Sequence, residues 1–278
     1  MPNLIAAKPY LLLEMFTTLS ASQLVRGKEV GESQVEVLDD AECGQVKIRA
    51  GKAKDYSGRK YYKAPFFAKP GEIGNLFGYS NFDQGEEIDS DFAIIDLETS
   101  GLSAATSHII EIAIIRMTRT GKITDRFETL INPPDGNVGR PDIHQINERD
   151  VKSAPNFSEV AGNILASLDN CIVVAHNAKF EEGFLAAEFS RVGIEVPHIP
   201  AIDTMWLAQM ELDIFNYKLP TVLSHYGHSI KDAHTAMGDV VSIAKFLPQI
   251  LLEVPTQLYP VELVNLPQRP LAKGLKPR

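Results

Sequence analysis

Between residues 92 and 133 the sequence carries three apolar runs: "FAIIDLE" (92–98), "HIIEIAIIRMTR" (108–119) and "ITDRFETLINP" (123–133). Each reads as a β-strand. Only Thr120, Gly121 and Lys122 separate the second from the third. A connection that short joins antiparallel strands, because a parallel pair needs a long crossover. Past residue 156 the period changes. "FSEVAGNILASLD" (157–169) places Phe157, Val160, Ile164, Leu165 and Leu168 at helical spacing. "CIVVA" (171–175) is a short buried strand, and "KFEEGFLAAEFSRVG" (179–193) is helical and ends at Gly193. Further helical segments lie near 203–213, 218–226 and 235–252. Strands first, then helices interleaved with strands, predict an α/β domain built on a sheet of mixed direction.

The chain has 278 residues, room for one large domain or one domain and a small partner. Its net charge of −9 disfavours a protein that coats nucleic acid through bulk positive potential, but not a cleft that grips a few phosphates through cations. Cys43 and Cys171 are far apart and lack metal-ligand spacing, which fits a reducing cytosol and a cytoplasmic location. No apolar run reaches the length of a membrane span, so no membrane association is expected. "LIAAKPYLLLEMF" near the N-terminus reads as a helix and not as a signal peptide, because Lys8, Pro9 and Glu14 interrupt its apolar core.

Composition divides the chain further. Residues 1–70 form a small region with short alternating pieces around Gly44, Gly51 and Gly58, the pattern of a few strands joined by turns. Residues 71–90 are rich in Gly, Asn, Ser and acid, lack periodicity, and read as a linker. Residues 91–252 form the main domain. Residues 253–278 are Pro-rich, basic toward the end, and expected to be disordered. Within the first region, residues 47–69 hold Lys47, Arg49, Lys52, Lys54, Arg59, Lys60, Lys63 and Lys69 interleaved with Tyr56, Tyr61, Tyr62, Phe66 and Phe67. Two readings fit: a single-strand-binding surface that combines phosphate contact with stacking, or a small domain with an aromatic core and solvated lysines.

Three polar clusters break the apolar elements of the main domain. Asp96 and Glu98 share one face at the end of the first strand and repel each other unless a cation lies between them. His176, Asn177, Phe180, Glu181 and Glu182 follow "CIVVA" directly, and His234 precedes Asp239 by five positions at the start of a helix. Taken singly, each has an ordinary explanation: a solvated strand end, a turn that caps a helix, a surface histidine, a helix-face charge.

Together, "DLET", "HNAKFE" and "HTAMGD" resemble, in order, the three sequence blocks of the DEDDh (DnaQ-like) 3′–5′ exonucleases, a family that includes the proofreading epsilon subunit of DNA polymerase III. "IIEIA", "IHQI" (143–146), "IDT" (202–204) and "KLPTVLSHYG" (218–227) agree with it as well. The resemblance covers about residues 91–250 and nothing before 90. It implies a ribonuclease H-like mixed sheet flanked by helices and two divalent cations, Mg²⁺ or Mn²⁺. Asp96, Glu98, Asp239 and Glu181 would be their ligands and His234 the general base. It also implies that Thr99, Gly101, Leu102, Asn177 and Phe180 bind the 3′-terminal nucleotide, although ordinary core packing is an equal reading for Leu102 and Phe180. One position departs: the family has Asp where this chain has Glu181, with Glu182 beside it. The extra methylene implies altered metal geometry and a possible preference for Mn²⁺.

The function implied is a two-metal 3′–5′ exonuclease that removes nucleoside monophosphates from single-stranded DNA or RNA ends, in proofreading or repair, with a DNA polymerase subunit as a candidate partner. The competing class is a catalytically weakened, nuclease-derived nucleic-acid-binding module.

Overall fold

A computed structural model describes residues 53–54, 60–61, 73–79, 81–83, 90–229, 235–253, 257–259 and 263–276. The chain divides into two compact units, Met1–Phe67 with Trp206–Tyr217, and Ala68–Met205 with Lys218–Arg278. In the first unit β1 (Ala53–Lys54) and β2 (Lys60–Tyr61) pair antiparallel, inside the region where short strands were expected. The Tyr217 hydroxyl donates to the Leu212 carbonyl at 3.2 Å. The expected N-terminal helix and most of the basic, aromatic stretch 47–69 lie outside the described residues.

The second unit is built on a six-stranded sheet in the order β3 (Phe77–Tyr79), β9 (Ile199–Asp203), β8 (Ile172–Ala175), β5 (Phe92–Thr99), β6 (Ile109–Met117), β7 (Ile123–Leu130). The β5–β6 and β6–β7 pairs are antiparallel, while β5–β8, β8–β9 and β3–β9 are parallel. This is the mixed sheet expected from the strand spacing. Gly121, at φ 88°, supplies the left-handed residue that the tight β6–β7 turn requires. A separate antiparallel pair joins β4 (Asn81–Asp83) to β10 (Gln257–Tyr259).

Helices cover both faces. Ala93, Ile95 and Leu97 of β5 belong to one core with residues of α3 (Phe157–Leu168) and α4 (Ala178–Arg191). Helix α3 starts on a capping box in which the Glu159 amide donates to Asn156 Oδ1 and the Asn156 amide donates to Glu159 Oε2. The alternate residues of β5 face α7 (Ala236–Glu253), which packs across β5 and β6. Short helices α1 (Pro141–His144) and α2 (Glu148–Val151) lie between β7 and α3. A short helix α5 (Thr204–Glu211) follows β9, and α6 (Leu219–His225) precedes α7.

Two segments differ from the sequence reading. The stretch 71–90, read as a linker, contains β3, which is buried at the sheet edge. The cause is the Glu182 carboxylate. Its Oε1 accepts from the amides of Leu76 and Phe77, both at 2.9 Å, and its Oε2 accepts from the Tyr79 hydroxyl at 2.8 Å. Gly74 permits this approach, since a Cβ there would lie 2.0 Å from Glu182 Oε1. A strand of three residues carries too little alternation to be seen in sequence.

The tail expected to be disordered is likewise ordered over 263–276, where it runs along α3. The Leu266 amide donates to Asp169 Oδ1 at 2.6 Å, the Ala272 amide donates to Asn163 Oδ1 at 2.9 Å, and Leu266 is buried. Gly162 on α3 makes room for the Pro270 carbonyl, 2.1 Å from where a Cβ would stand. Side-chain-to-backbone bonds of this kind hold a segment with no periodicity of its own.

Glu182→Ala leaves two buried amides without their acceptor and should cost about 3 kcal/mol in urea denaturation, whereas Glu182→Gln, which keeps an oxygen, should cost only about 1 kcal/mol. Gly162→Ala should loosen the tail and speed limited tryptic cleavage after Lys273, measured as a change in digestion half-life.

Candidate active site

Strand β5 ends at the carboxylates. Asp96 lies opposite Ala113, whose small side chain leaves space, and Glu98 lies directly opposite Glu111. A register shift follows between Glu98 and Thr99, the kind of bulge that redirects a strand end. Glu111 is fully buried, and its Oε2 accepts from the Ala236 amide at 3.1 Å. That bond ties the first residue of α7 to β6 and sets where Asp239 enters, one helical turn later. Glu111 lay inside "IIEIA" and was not among the candidate site residues. An acid within an otherwise apolar strand, in register with Glu98, was the signal available.

From the other side, α4 supplies Glu181. Its helix begins at Asn177, which has a left-handed backbone (φ 79°) and makes no side-chain capping bond. Asp203, at the end of β9, takes over the capping. Its Oδ1 accepts from the amides of Asn177 and Met205, and its Oδ2 accepts from the Ala178 amide. A carboxylate suits that position because the helix N-terminus presents unpaired donors and partial positive charge. His176 Nδ1 lies 3.0 Å from Thr204 Oγ1, which donates to the Ala175 carbonyl. With the one hydroxyl proton used there, Nδ1 is left as the donor. "IDT" thus supplies two supports, Asp203 and Thr204, that sequence reasoning noted only as agreeing features.

The electrostatics converge on Asp96. Its carboxyl is pushed well above the ordinary carboxylate range, first by burial and then by the charges of Glu181, Asp239, Glu98 and Glu111. Glu181 is buried and also raised, chiefly by burial, with Asp203 adding and a backbone hydrogen bond opposing. Glu181 Oε2 has no hydrogen-bond partner among the described residues. Glu182 points elsewhere, into its bonds with β3, and does not complete this cluster. The structure therefore brings together Asp96, Glu98, Glu181 and Asp239 from β5, α4 and α7. His234 lies outside the described residues.

The remaining candidates sit around the cluster. Thr99 Oγ1 donates to the Gly101 carbonyl at 2.8 Å. Leu102 is 92% exposed, so core packing does not account for it. Phe180 is half-buried, lies 4.9 Å from Phe184 between ring centroids, and packs against the core. The "IHQI" histidine, His144, is a buried strut. Its Nε2 donates to the Val138 carbonyl and its Nδ1 accepts from the Ile146 amide. It steadies the loop in which Gly139, at φ 76°, lies so close that a Cβ would stand 2.1 Å from the Ser100 carbonyl.

Four carboxylates around one buried acid, one of them with an unsatisfied buried oxygen, form a donor set suited to hard divalent cations. Among the described residues no three such side chains stand close enough together to form a closed ligand group. Without cations, the raised folded-state carboxyl pKa of Asp96 means that the native state keeps its proton at pH values where the unfolded chain has lost it. The contribution of this group to stability is then fully present below the ordinary carboxylate value of 3.8 and is lost as pH rises through the folded value. In chelator, thermal melts of the protein should decline as pH rises from 4, and Asp96→Asn should flatten the decline. Added Mg²⁺ or Mn²⁺ should reverse it in the parent but much less in Asp96→Asn.

Comparison with known proteins agrees with this geometry. The RNase_T exonuclease family model matches residues 93–247. The DNA polymerase III PolC-type protein of Oceanobacillus iheyensis is 35% identical over 150 residues, 53% of this chain and 10% of its own length. That of Caldanaerobacter subterraneus subsp. tengcongensis is 28% identical over 236 residues, 84% of this chain and 16% of its own. The chain thus spans between 10% and 16% of these relatives. An alignment over 84% of the chain reaches into the residues before 91, where the sequence reading recognised no relative. Among solved structures, the nuclease domain of 3′hExo, a DEDDh family member bound to rAMP, shares the fold. Its TM-score is 0.54 at 15% identity, over 65% of this chain and 100% of that one. The chain belongs to the RNase_T exonuclease family.

Proposed function

We propose that the protein is a two-metal-ion 3′–5′ exonuclease that trims single-stranded DNA ends in association with a replicative polymerase, inside a reducing cytoplasm. The observation that carries the metal reading is the charge cluster. Asp96 is burdened by four neighbouring carboxylates that only bound cations would turn to advantage. The PolC-type relatives support DNA over RNA as substrate and a polymerase as partner.

In this reading Asp96, Glu98, Asp239 and Glu181 hold the cations. When bound, such ions supply Lewis acidity, which lowers the pKa of an attacking water and stabilises the leaving 3′ oxygen. The chain's own residues do the rest. The His234 imidazole takes the proton of the water as its oxygen bonds to phosphorus, a role suited to a group that titrates near neutrality. The bond between phosphorus and the 3′ oxygen of the penultimate nucleotide breaks, and that oxygen is protonated from solvent, which frees a 5′-mononucleotide. The Thr99 amide meets the terminal 3′-hydroxyl, Leu102 rests against the last base, and Asn177 and Phe180 line the cleft. An unpaired end, free of stacking partners, enters such a pocket more readily than a duplex end.

Glu181 favours a second reading, a weakened nuclease that binds ends without cutting them. A 3′-labelled oligonucleotide decides. Release of mononucleotides that needs Mg²⁺ or Mn²⁺ and vanishes in Asp96→Ala supports the enzyme, while binding without product under either ion supports the module. His234→Ala should slow release by about 10²–10⁴-fold and leave oligonucleotide affinity nearly unchanged. Glu181→Asp should lower the rate with both ions. Glu182, held by β3, and Phe184, buried in the core, fix the depth of α4, so the shorter acid falls short. A rate that rises with Mg²⁺ would show that the extra methylene misplaces the cation.

A further inference from the structure

The connection from β5 to β6, residues 100–108, carries Leu102, almost fully exposed. An apolar side chain at such a tip, on a flexible loop, would lose ordering entropy each time it met a ligand. This loop is instead held at its base and along its flank. At the base, the Ser100 amide donates to the His108 carbonyl at 2.9 Å, and the His108 amide donates to Ser100 Oγ at 3.0 Å. A Cβ on Gly101 would lie 2.5 Å from Ser107 Oγ, so the two strands of the loop touch there.

The flank is held by α4. Glu188 is 4% exposed, and its Oε1 accepts from His108 Nδ1 and from Arg191 Nη1, both at 2.9 Å. Arg191 also donates to loop carbonyls, from Nη1 to Ser107 at 3.1 Å and from Nη2 to Ala104. A buried carboxylate thus orients a guanidinium whose fork grips two backbone oxygens of the loop. That use depends on the planar, multi-donor shape of arginine and is closed to lysine, which offers a single point charge. Neither residue belongs to the candidate cation cluster.

We propose that Glu188 and Arg191 are positioning residues that hold the Leu102 loop in the conformation that receives the last base of a 3′ end, and so set the affinity for ordinary ends. This rests on the exonuclease reading above. The clamp acts through Leu102 and touches neither substrate nor cation, so its loss weakens base contact and spares the chemistry.

Two measurements test it. With Leu102→Trp and 5-fluorotryptophan, ¹⁹F relaxation reports the motion of the indole at position 102, with Trp206 as the internal standard. Arg191→Ala should drop that relaxation rate to that of a freely moving side chain, and Arg191→Lys should fall between. In proteins that retain Leu102, Arg191→Ala and Glu188→Gln should raise KM for a single-stranded oligonucleotide about tenfold with kcat within about twofold. For an oligonucleotide whose 3′-terminal residue is abasic, which offers Leu102 no base, KM should not change further. Equal losses on both substrates, or unchanged relaxation, would overturn the proposal. If the parent protein cuts neither substrate, the exonuclease reading falls, while the relaxation data still decide whether the clamp orders the loop.

Discussion

The register of β5 against β6 is the constraint on which the site depends. It sets Glu98 across from Glu111 and Asp96 across from Ala113. A slip of one residue would turn both acids to the opposite face, into the apolar core beneath α3 and α4. The hairpin that follows protects this register, since Gly121 fixes the turn and β7 then pairs with β6 along its length. Glu111 converts the register into a helix position through its bond to Ala236, and Asp239 follows from there. Four elements meet around Asp96 because one antiparallel pairing is set.

Helix α4 shows how neighbouring residues of like charge take separate roles. Successive helical residues point about 100° apart, so Glu181 and Glu182 look in different directions. Glu181 turns toward the carboxylate cluster, where its Oε2 is buried without a hydrogen-bond partner among the described residues. Glu182 turns toward β3, where three donors satisfy it. The same helix sends Glu188 and Arg191 to the Leu102 loop two turns further on. A single rigid element therefore fixes the sheet edge, one wall of the candidate site and the flank of its loop.

Much of this was legible in the sequence because its signals are local. The hairpin, α3 and α4 show themselves by apolar period, and Asp96, Glu98 and Asp239 stand where apolar elements end. What escaped depends on partners distant in sequence. β3 is too short to alternate, and its burial is caused by a carboxylate more than a hundred residues away. The segment 263–276 has the composition of a free tail, yet Asn163 and Asp169 on and after α3 hold its backbone. Asp203 stands where the sequence reads as the start of a helical segment, and only the fold shows it ending a buried strand and capping the helix that begins at Asn177. Glu111 was overlooked because a pattern of isoleucines suggests burial, and a buried acid becomes meaningful only once its cross-strand neighbour is known.

The sheet edge at β3 also imposes an order on the chain as it is made. Residues 76–79 leave the ribosome before every other strand of the central sheet, yet their parallel partner β9 and their anchor Glu182 follow only about a hundred residues later. Until then the segment has no ladder to join, and closing so large a loop is slow compared with forming the β5–β6–β7 meander. Nascent chains should therefore pass through a stage in which the five-stranded remainder is assembled and its β9 edge stands open, a surface that a chaperone or a second copy can meet before the chain's own N-terminal segment returns to cover it.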